Sequence, residues 1–256
     1  MSAVQSADGT SIRFDQSGSG SPLVLVLGAF NTRSAGASLA VHLAQRFTVF
    51  NYDRRGRGQS GDTAPYEIQR EIEDLAALIA AAGGESAVFG YSSGAILALA
   101  AAEHGLPITG LALYEPPFPL TGRSRDFFTR SAGEIRALIA EGRPDAAVEL
   151  FQIRIVGIPP EVVAQIRHAP FWPELVRVAP TLEYEVLLLA SDPDLPGRVG
   201  IPTLVVAGSD SPSVLTDAAE NLSRRLAHGS YRELAGHSHD IDADALGPVV
   251  TEFLAR

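Results

Sequence analysis

The sequence predicts an α/β fold built on a mostly parallel sheet with helices on both faces, and three observations carry that prediction. Short apolar runs of strand character alternate with stretches of helical character, the pattern of successive βαβ units. The run Leu23-Val24-Leu25-Val26-Leu27 is apolar at every position, as in a strand covered on both faces. A second run, Ala87-Val88-Phe89, passes into Gly90-Tyr91-Ser92-Ser93-Gly94 and then into the Ala-rich segment Ala95-Ile96-Leu97-Ala98. That is a strand, a very tight turn and a helix.

The elements follow in order. Residues 2–7 and 10–15 alternate weakly about Asp8-Gly9, a dipeptide that suits a hairpin turn. After a Gly/Ser loop comes the strand at 23–27, which ends at Gly28-Ala29-Phe30, and a helix over about 35–45. The run from Thr48 to Tyr52 reads as the next strand and enters the Gly-rich loop Asp53-Arg54-Arg55-Gly56-Arg57-Gly58-Gln59-Ser60-Gly61. Ile68, Ile72, Leu75 and Ile79 recur at helical spacing with Glu67, Glu71, Glu73 and Asp74 between them, an amphipathic helix that ends at Gly83-Gly84. Beyond the tight turn, Ile108 to Tyr114 is another buried strand. From Pro116 to about Gly200 no strand is evident, only helix-like stretches punctuated by prolines, among them Pro119, Pro144, Pro160, Pro173 and Pro193. The aromatic content of this stretch (Phe118, Phe127, Phe128, Phe151, Phe171, Trp172, Tyr184) argues for an inserted helical subdomain rather than a disordered linker. The sheet resumes at residues 202–208. A helix to about Ala227, a short strand at 231–234 and a last helix from about Asp242 to Phe253 complete the chain.

With 46% apolar and 20% charged residues, the chain has the composition of a compact globular protein. Its net charge of -10, with no basic stripe to offset it, argues against a nucleic-acid or anionic-membrane partner. The absence of cysteine excludes disulfides, thiol catalysis and thiolate metal sites. No apolar run approaches the roughly 18 residues a membrane span requires. Met1-Ser2-Ala3-Val4-Gln5 has neither a charged nor an apolar signal region, so the expectation is a soluble, cytoplasmic protein without a signal peptide.

The tight turn is where chemistry is expected. A serine between a strand and a helix on so sharp a bend needs small neighbours, which Gly90 and Gly94 supply. The bend pushes the Ser92 hydroxyl out above the sheet and leaves the Ser93 N–H at a helix N-terminus, where a developing oxyanion is stabilised. A serine hydroxyl is a poor nucleophile near neutral pH and needs a base, a group to orient that base, and oxyanion donors. Leu234-Ala235-Gly236-His237-Ser238-His239, after the last short strand, offers two histidines. The strand from Ile108 runs directly into Glu115, and a carboxylate at the end of a buried strand needs a partner, because burying an unpaired charge is costly.

Taken with the strand at 23–27 and the loop at 53–60, these features resemble the α/β-hydrolase superfamily, and the resemblance covers nearly the whole chain. It implies an α/β-hydrolase fold with a mostly parallel eight-stranded sheet. The core domain is then 1–115 with 201–256, and a helical cap, 116–200, is inserted after the sixth strand. The family's final loop commonly reads Gly-x-x-His, which points to His239 rather than His237. The oxyanion hole pairs the backbone N–H of Ser93 with that of Ala29. The family often has His-Gly ahead of this second donor and this chain has Leu27-Gly28, but a backbone donor survives the change. Phe30 is expected to flank the acyl pocket, Phe128 and Trp172 of the cap to line the substrate pocket, and the loop at 53–60 to be structural. The common triad acid stands at Gly-x-x-Asp after the strand at 203–207. Here Gly208-Ser209-Asp210-Ser211 places the acid one residue early. Some members carry it instead at the end of the preceding strand, so Glu115 is favoured, with Asp210 as the alternative. The implied function is a serine hydrolase that cleaves a carboxylic ester or lactone of a hydrophobic or aryl small molecule through an acyl-enzyme, with no cofactor and no metal. A carbon–carbon bond hydrolase, a cofactor-free perhydrolase, and a ligand-binding or cyclase use of the scaffold stay open, as does a homodimer.

Overall fold

Strands that are apolar at every position have no side left for water, so helices must cover the sheet from above and below. The computed structural model describes residues 2–118, 123–190 and 194–255, which leaves Met1, Pro119 and Pro193 outside the described residues. The strands are β1 (Ser2–Gln5), β2 (Ser11–Ser17), β3 (Ser21–Val26), β4 (Phe47–Tyr52), β5 (Ser86–Tyr91), β6 (Ile108–Tyr114), β7 (Thr203–Gly208) and β8 (Gly229–Leu234). They form one 8-stranded sheet in the order β1-β2-β4-β3-β5-β6-β7-β8. β1–β2 and β2–β4 pair antiparallel, and every other pair is parallel.

The helices are α1 (Ala37–Leu43), α2 (Ile68–Ala81), α3 (Ser93–Glu103), α4 (Arg125–Ala140), α5 (Pro144–Leu150), α6 (Pro160–Ile166), α7 (Trp172–Arg177), α8 (Leu182–Leu189), α9 (Ser213–Arg225) and α10 (Ala243–Leu254). The chain falls into two compact units, Met1–Thr121 with Asp192–Arg256, and Gly122–Ser191. In the first, alternation along the strands sorts the core into two layers. Leu23, Leu25, Phe89, Ala112, Tyr114, Leu204 and Val206 cluster with Leu39 and Leu43 of α1 and with Leu246 and Val250 of α10. Val24, Val26, Val88, Leu111, Leu113 and Val205 are the buried alternates. α3 lies against β3, β5 and β6, with α2 beside it. α3 is buried along its length from Ser93 to Ala101, as a helix apolar on every side must be.

Among its described residues the second unit holds helices and turns and no strand. Three of its prolines start helices: α5, α6 and α7 each carry one in the first turn, where the missing N–H costs nothing. Ser124 caps α4 by accepting the Phe127 N–H, and α4 packs along α8. Between α5 and α6 the chain makes a π-helical turn over Phe151–Val156. Among the described residues no helix is long and apolar enough to cross a membrane.

Candidate active site

β5, β6 and β7 lie side by side in register, Tyr91 beside Tyr114 and Tyr114 beside Val206, so their carboxyl ends finish at one level. Ligands of open α/β sheets bind at that edge. Ser92 follows β5, Glu115 follows β6, and the loop after β8 brings in His239.

The turn at Ser92 is as sharp as its glycines imply. Ser92 has φ 54 and ψ -127, outside helical and extended space. A Cβ on Gly90 would stand 2.6 Å from the Ala95 Cα, and one on Gly94 would stand 2.7 Å from the Leu27 carbonyl oxygen, so neither position accepts a side chain. Among the described residues three non-glycine residues have positive φ: Phe30 (62), Ser92 and Glu115 (48). Each belongs to the set predicted from sequence. Such conformations cost on the order of 1–3 kcal/mol apiece and persist only where surrounding structure enforces them.

Three side chains are brought together in series. The His239 Nε2 lies 3.2 Å from the Ser92 hydroxyl. Its Nδ1 is hydrogen-bonded to Glu115 Oε2. A carboxylate at Nδ1 holds the proton on that nitrogen and leaves Nε2 as the acceptor facing serine. Glu115 is fully buried, and its other oxygen takes the Gly208 N–H at 2.8 Å and the Ser211 hydroxyl. Burial pushes its pKa up, but the hydrogen bonds from His239, Ser211 and Gly208 outweigh burial and hold it below the usual carboxylate value. Asp210 lies elsewhere. It is exposed, accepts the Ser209 hydroxyl at 2.9 Å and donates its N–H to the His237 carbonyl. His237 faces Asp242 at 3.4 Å rather than serine.

Two tyrosines that sequence reasoning passed over hold the histidine loop. The Tyr91 hydroxyl donates to the His239 carbonyl at 2.8 Å, and the Tyr114 hydroxyl donates to the carbonyl of Ser238. The Tyr91 ring also lies 4.9 Å from the imidazole, centre to centre. Burial pushes both phenols up, so they remain donors. The signal was a tyrosine immediately before each of Ser92 and Glu115, and the strand register turns that repetition into a matched pair.

Where the sequence placed the expected oxyanion donors, the Ala29 N–H donates to the Ser93 hydroxyl at 3.0 Å, a contact not foreseen from sequence, which enlisted only the Ser93 backbone. The Ser93 N–H is among the first of α3, which a helix leaves without internal acceptors. Ala29 and Phe30 are half-buried in the loop after β3. Phe128 and Trp172 lie in the helical unit and are buried there. Phe128 meets Phe127 edge-on, and the Trp172 indole N–H donates to Asp145 at 3.0 Å.

The loop at 53–60 is welded in by ion pairs. Arg54 binds both oxygens of Glu71 at 2.6 Å each, and Arg55 binds both oxygens of Asp74, at 2.8 and 2.7 Å. Among the described residues no three His, Asp or Glu side chains converge to hold a metal ion.

Comparison with known proteins agrees with this fold. An alpha/beta hydrolase from Sphaerobacter thermophilus DSM 20745 is 47% identical, with a TM-score of 0.87 over 98% of this chain and 99% of that one. The enol-lactonase from Burkholderia xenovorans LB400 is 23% identical and shares the fold, with a TM-score of 0.73 over 100% of both chains. The uncharacterized hydrolase YraK of Bacillus subtilis (strain 168) is 35% identical over 95 residues, 36% of this chain, and the chain spans only 35% of that relative's length. The model of the alpha/beta hydrolase family matches residues 23–250, from β3 into α10, and the chain belongs to that family.

Proposed function

We propose that this protein is a serine hydrolase that cleaves a carboxylic ester or lactone of a hydrophobic or aryl small molecule through an acyl-enzyme. The observation that supports it best is the unbroken contact series from Ser92 through His239 to the buried Glu115, at the point where β5 bends into α3. In this reading the Ser92 oxygen attacks the acyl carbon while His239 Nε2 takes its proton. The tetrahedral oxyanion is held by the N–H groups of Ser93 and Ala29. The imidazolium, steadied by Glu115, then protonates the leaving alkoxide. Water, deprotonated by the same imidazole, releases the acid and regenerates the serine.

Glu115 rather than Asp210 is the acid in this mechanism, because Glu115 alone of the two reaches the imidazole. We assign selection among acyl groups to the helical unit acting as a cap, with Phe128 and Trp172 as the positions to vary. Both are buried, so Phe128→Leu and Trp172→Phe probe selectivity with less damage than truncation to alanine.

The test combines a panel of aryl esters and lactones with a fluorophosphonate probe, lactones being included because one fold neighbour is an enol-lactonase. Wild type should label and turn over. Ser92→Ala should lose labelling and about 10⁴–10⁶ in kcat, the scale for removal of a triad serine. Undiminished labelling of Ser92→Ala would move the nucleophile elsewhere. A diketone cleaved without acyl-enzyme would favour carbon–carbon bond hydrolysis.

A further inference from the structure

Arg57 is buried at the inner side of the loop after β4, and its Nη1 donates to the Gly28 carbonyl at 2.7 Å. That carbonyl and the Ala29 N–H belong to one planar peptide. On its other side the same peptide donates to the Ser93 hydroxyl at 3.0 Å. The peptide borders the nucleophile: a Cβ on Gly28 would lie 2.8 Å from the Ser92 Cβ and 3.4 Å from its hydroxyl oxygen. Arg54 makes a parallel contact one residue earlier, at 3.2 Å to the Leu27 carbonyl, while bound to Glu71. Two guanidiniums therefore grip consecutive carbonyls of this loop, and only the one held by Arg57 shares a peptide with the Ala29 N–H.

We propose that Arg57 is a positioning residue for the oxyanion hole, fixing the Gly28–Ala29 peptide and strengthening its N–H as a donor to the developing negative charge. The proposal rests on the reading of Ala29 as an oxyanion donor. A hydrogen bond to a peptide carbonyl polarises the unit and strengthens what its N–H donates, by roughly 10–30% per bond. A charged partner roughly doubles the strength of such a bond. Burial and the neighbouring Arg54 charge push the Arg57 pKa down to about 9, which leaves it a cation at neutral pH. In the resting site the N–H is kept by the neutral Ser93 hydroxyl. An oxyanion is the stronger acceptor, by the same factor of about two, and takes the N–H as it forms. The loop at 53–60 thus acts on the reaction as well as on the fold.

The experiment compares wild type, Arg57→Lys and Arg57→Gln with p-nitrophenyl acetate and with a trifluoromethyl ketone, whose hemiketal places an oxyanion in the hole. Loss of one complete oxyanion donor lowers kcat by about 10²–10³, so weakening one should lower it about 10–100-fold in Arg57→Gln. KM should stay within about twofold, and ketone affinity should fall in parallel with kcat. Arg57→Lys should recover part of both. A folded Arg57→Gln that keeps kcat and ketone affinity within about twofold of wild type overturns the proposal and leaves Arg57 a structural residue. If Arg57→Gln does not fold, Arg57→Lys decides alone: parallel partial losses support the proposal, and losses confined to thermal stability or to KM overturn it. Failure of the hydrolase reading looks different, because then wild type itself shows no Ser92-dependent labelling or turnover, and the proposal falls with it.

Discussion

Glu71 on α2 and Glu115 at the end of β6 are both buried carboxylates of the same unit, and they are neutralised in opposite ways. Glu71 is clamped by Arg54 through two hydrogen bonds of 2.6 Å and receives the Tyr66 hydroxyl at 2.9 Å. Burial pushes its pKa up, and the Arg54 charge and hydrogen bonds override that and leave it lowered. Its partner is charged at every accessible pH. Glu115 instead meets an imidazole, a hydroxyl and a backbone N–H, none of them a permanent cation. A carboxylate tied to a permanent cation is a strut. One tied to a histidine has a partner whose charge changes during a reaction, and that is where chemistry can be done.

The comparison predicts opposite phenotypes for one chemical change. Glu115→Gln keeps the shape but removes the charge that orients His239, and should lower kcat by about 10⁴ with little loss of stability. Asp210→Asn should cost no more than about tenfold, since Asp210 is exposed and away from the imidazole. A dead Asp210→Asn beside an active Glu115→Gln would reverse the assignment. Glu71→Gln should do the converse, destabilising by about 3–5 kcal/mol because it takes the carboxylate from a buried guanidinium. Denaturant midpoints check the stability, and kcat per folded molecule should stay within about tenfold. If Glu71→Gln were as dead as Glu115→Gln at unchanged stability, the distinction between strut and reactive acid would collapse.

Activity and stability should also answer to different protons. A protonated His239 cannot accept from serine, so kcat/KM should fall towards acid pH by about tenfold per unit, as for a single base. Glu71 and Glu115 both have folded values below the unfolded 4.5. Their contribution to stability is therefore complete above that value and is lost as pH falls through the lowered folded values. The acid limb of stability should flatten in Glu71→Gln while the pH profile of kcat/KM stays where it was. Denaturation and rate measurements at matched pH, from about pH 7 to about pH 3, test both, and a rate profile that moved with Glu71→Gln would couple what the structure separates.

This difference also marks what was legible in the sequence. The serine turn, the Gly-x-x-His loop and a strand running into a carboxylate are local patterns, each readable within about six residues. The central strands β3 to β7 were legible for the same reason, since burial on both faces leaves an apolar run that needs no partner to be seen, while β1, β2 and β8, largely exposed, were marked by alternation and flanking turns. Glu71 and Asp74 were not. Helical spacing marks them as polar positions of an amphipathic helix, yet both are buried, because Arg54 and Arg55 arrive from another loop. The tyrosine hydroxyls on the histidine loop and the Ser93 side chain on Ala29 were missed for the same cause. Those contacts join residues 64 to 148 positions apart, which spacing along the chain does not encode.

The smallest effect concerns Ser211, which occupies the position where the family's common acid stands and here donates its hydroxyl to Glu115. Among the described residues it is the one side-chain donor on Glu115 besides His239, the third bond coming from the Gly208 backbone. A hydrogen bond to a charged group contributes about 1.5–3 kcal/mol when both partners are held. Most of that is recovered here, because Glu115 keeps two donors and the missing hydroxyl can be replaced by water at a loop with exposed neighbours. Ser211→Ala should therefore lower kcat only about two- to tenfold, raise the Glu115 pKa towards the ordinary carboxylate value, and leave KM unchanged. Ser211→Thr, which keeps the hydroxyl, should stay near wild type. A loss beyond about a hundredfold in Ser211→Ala, with the fold intact, would mean that the hydroxyl fixes the geometry of Glu115 rather than merely adding to its neutralisation. The reactive carboxylate would then depend on a single clamp as strictly as Glu71 depends on Arg54.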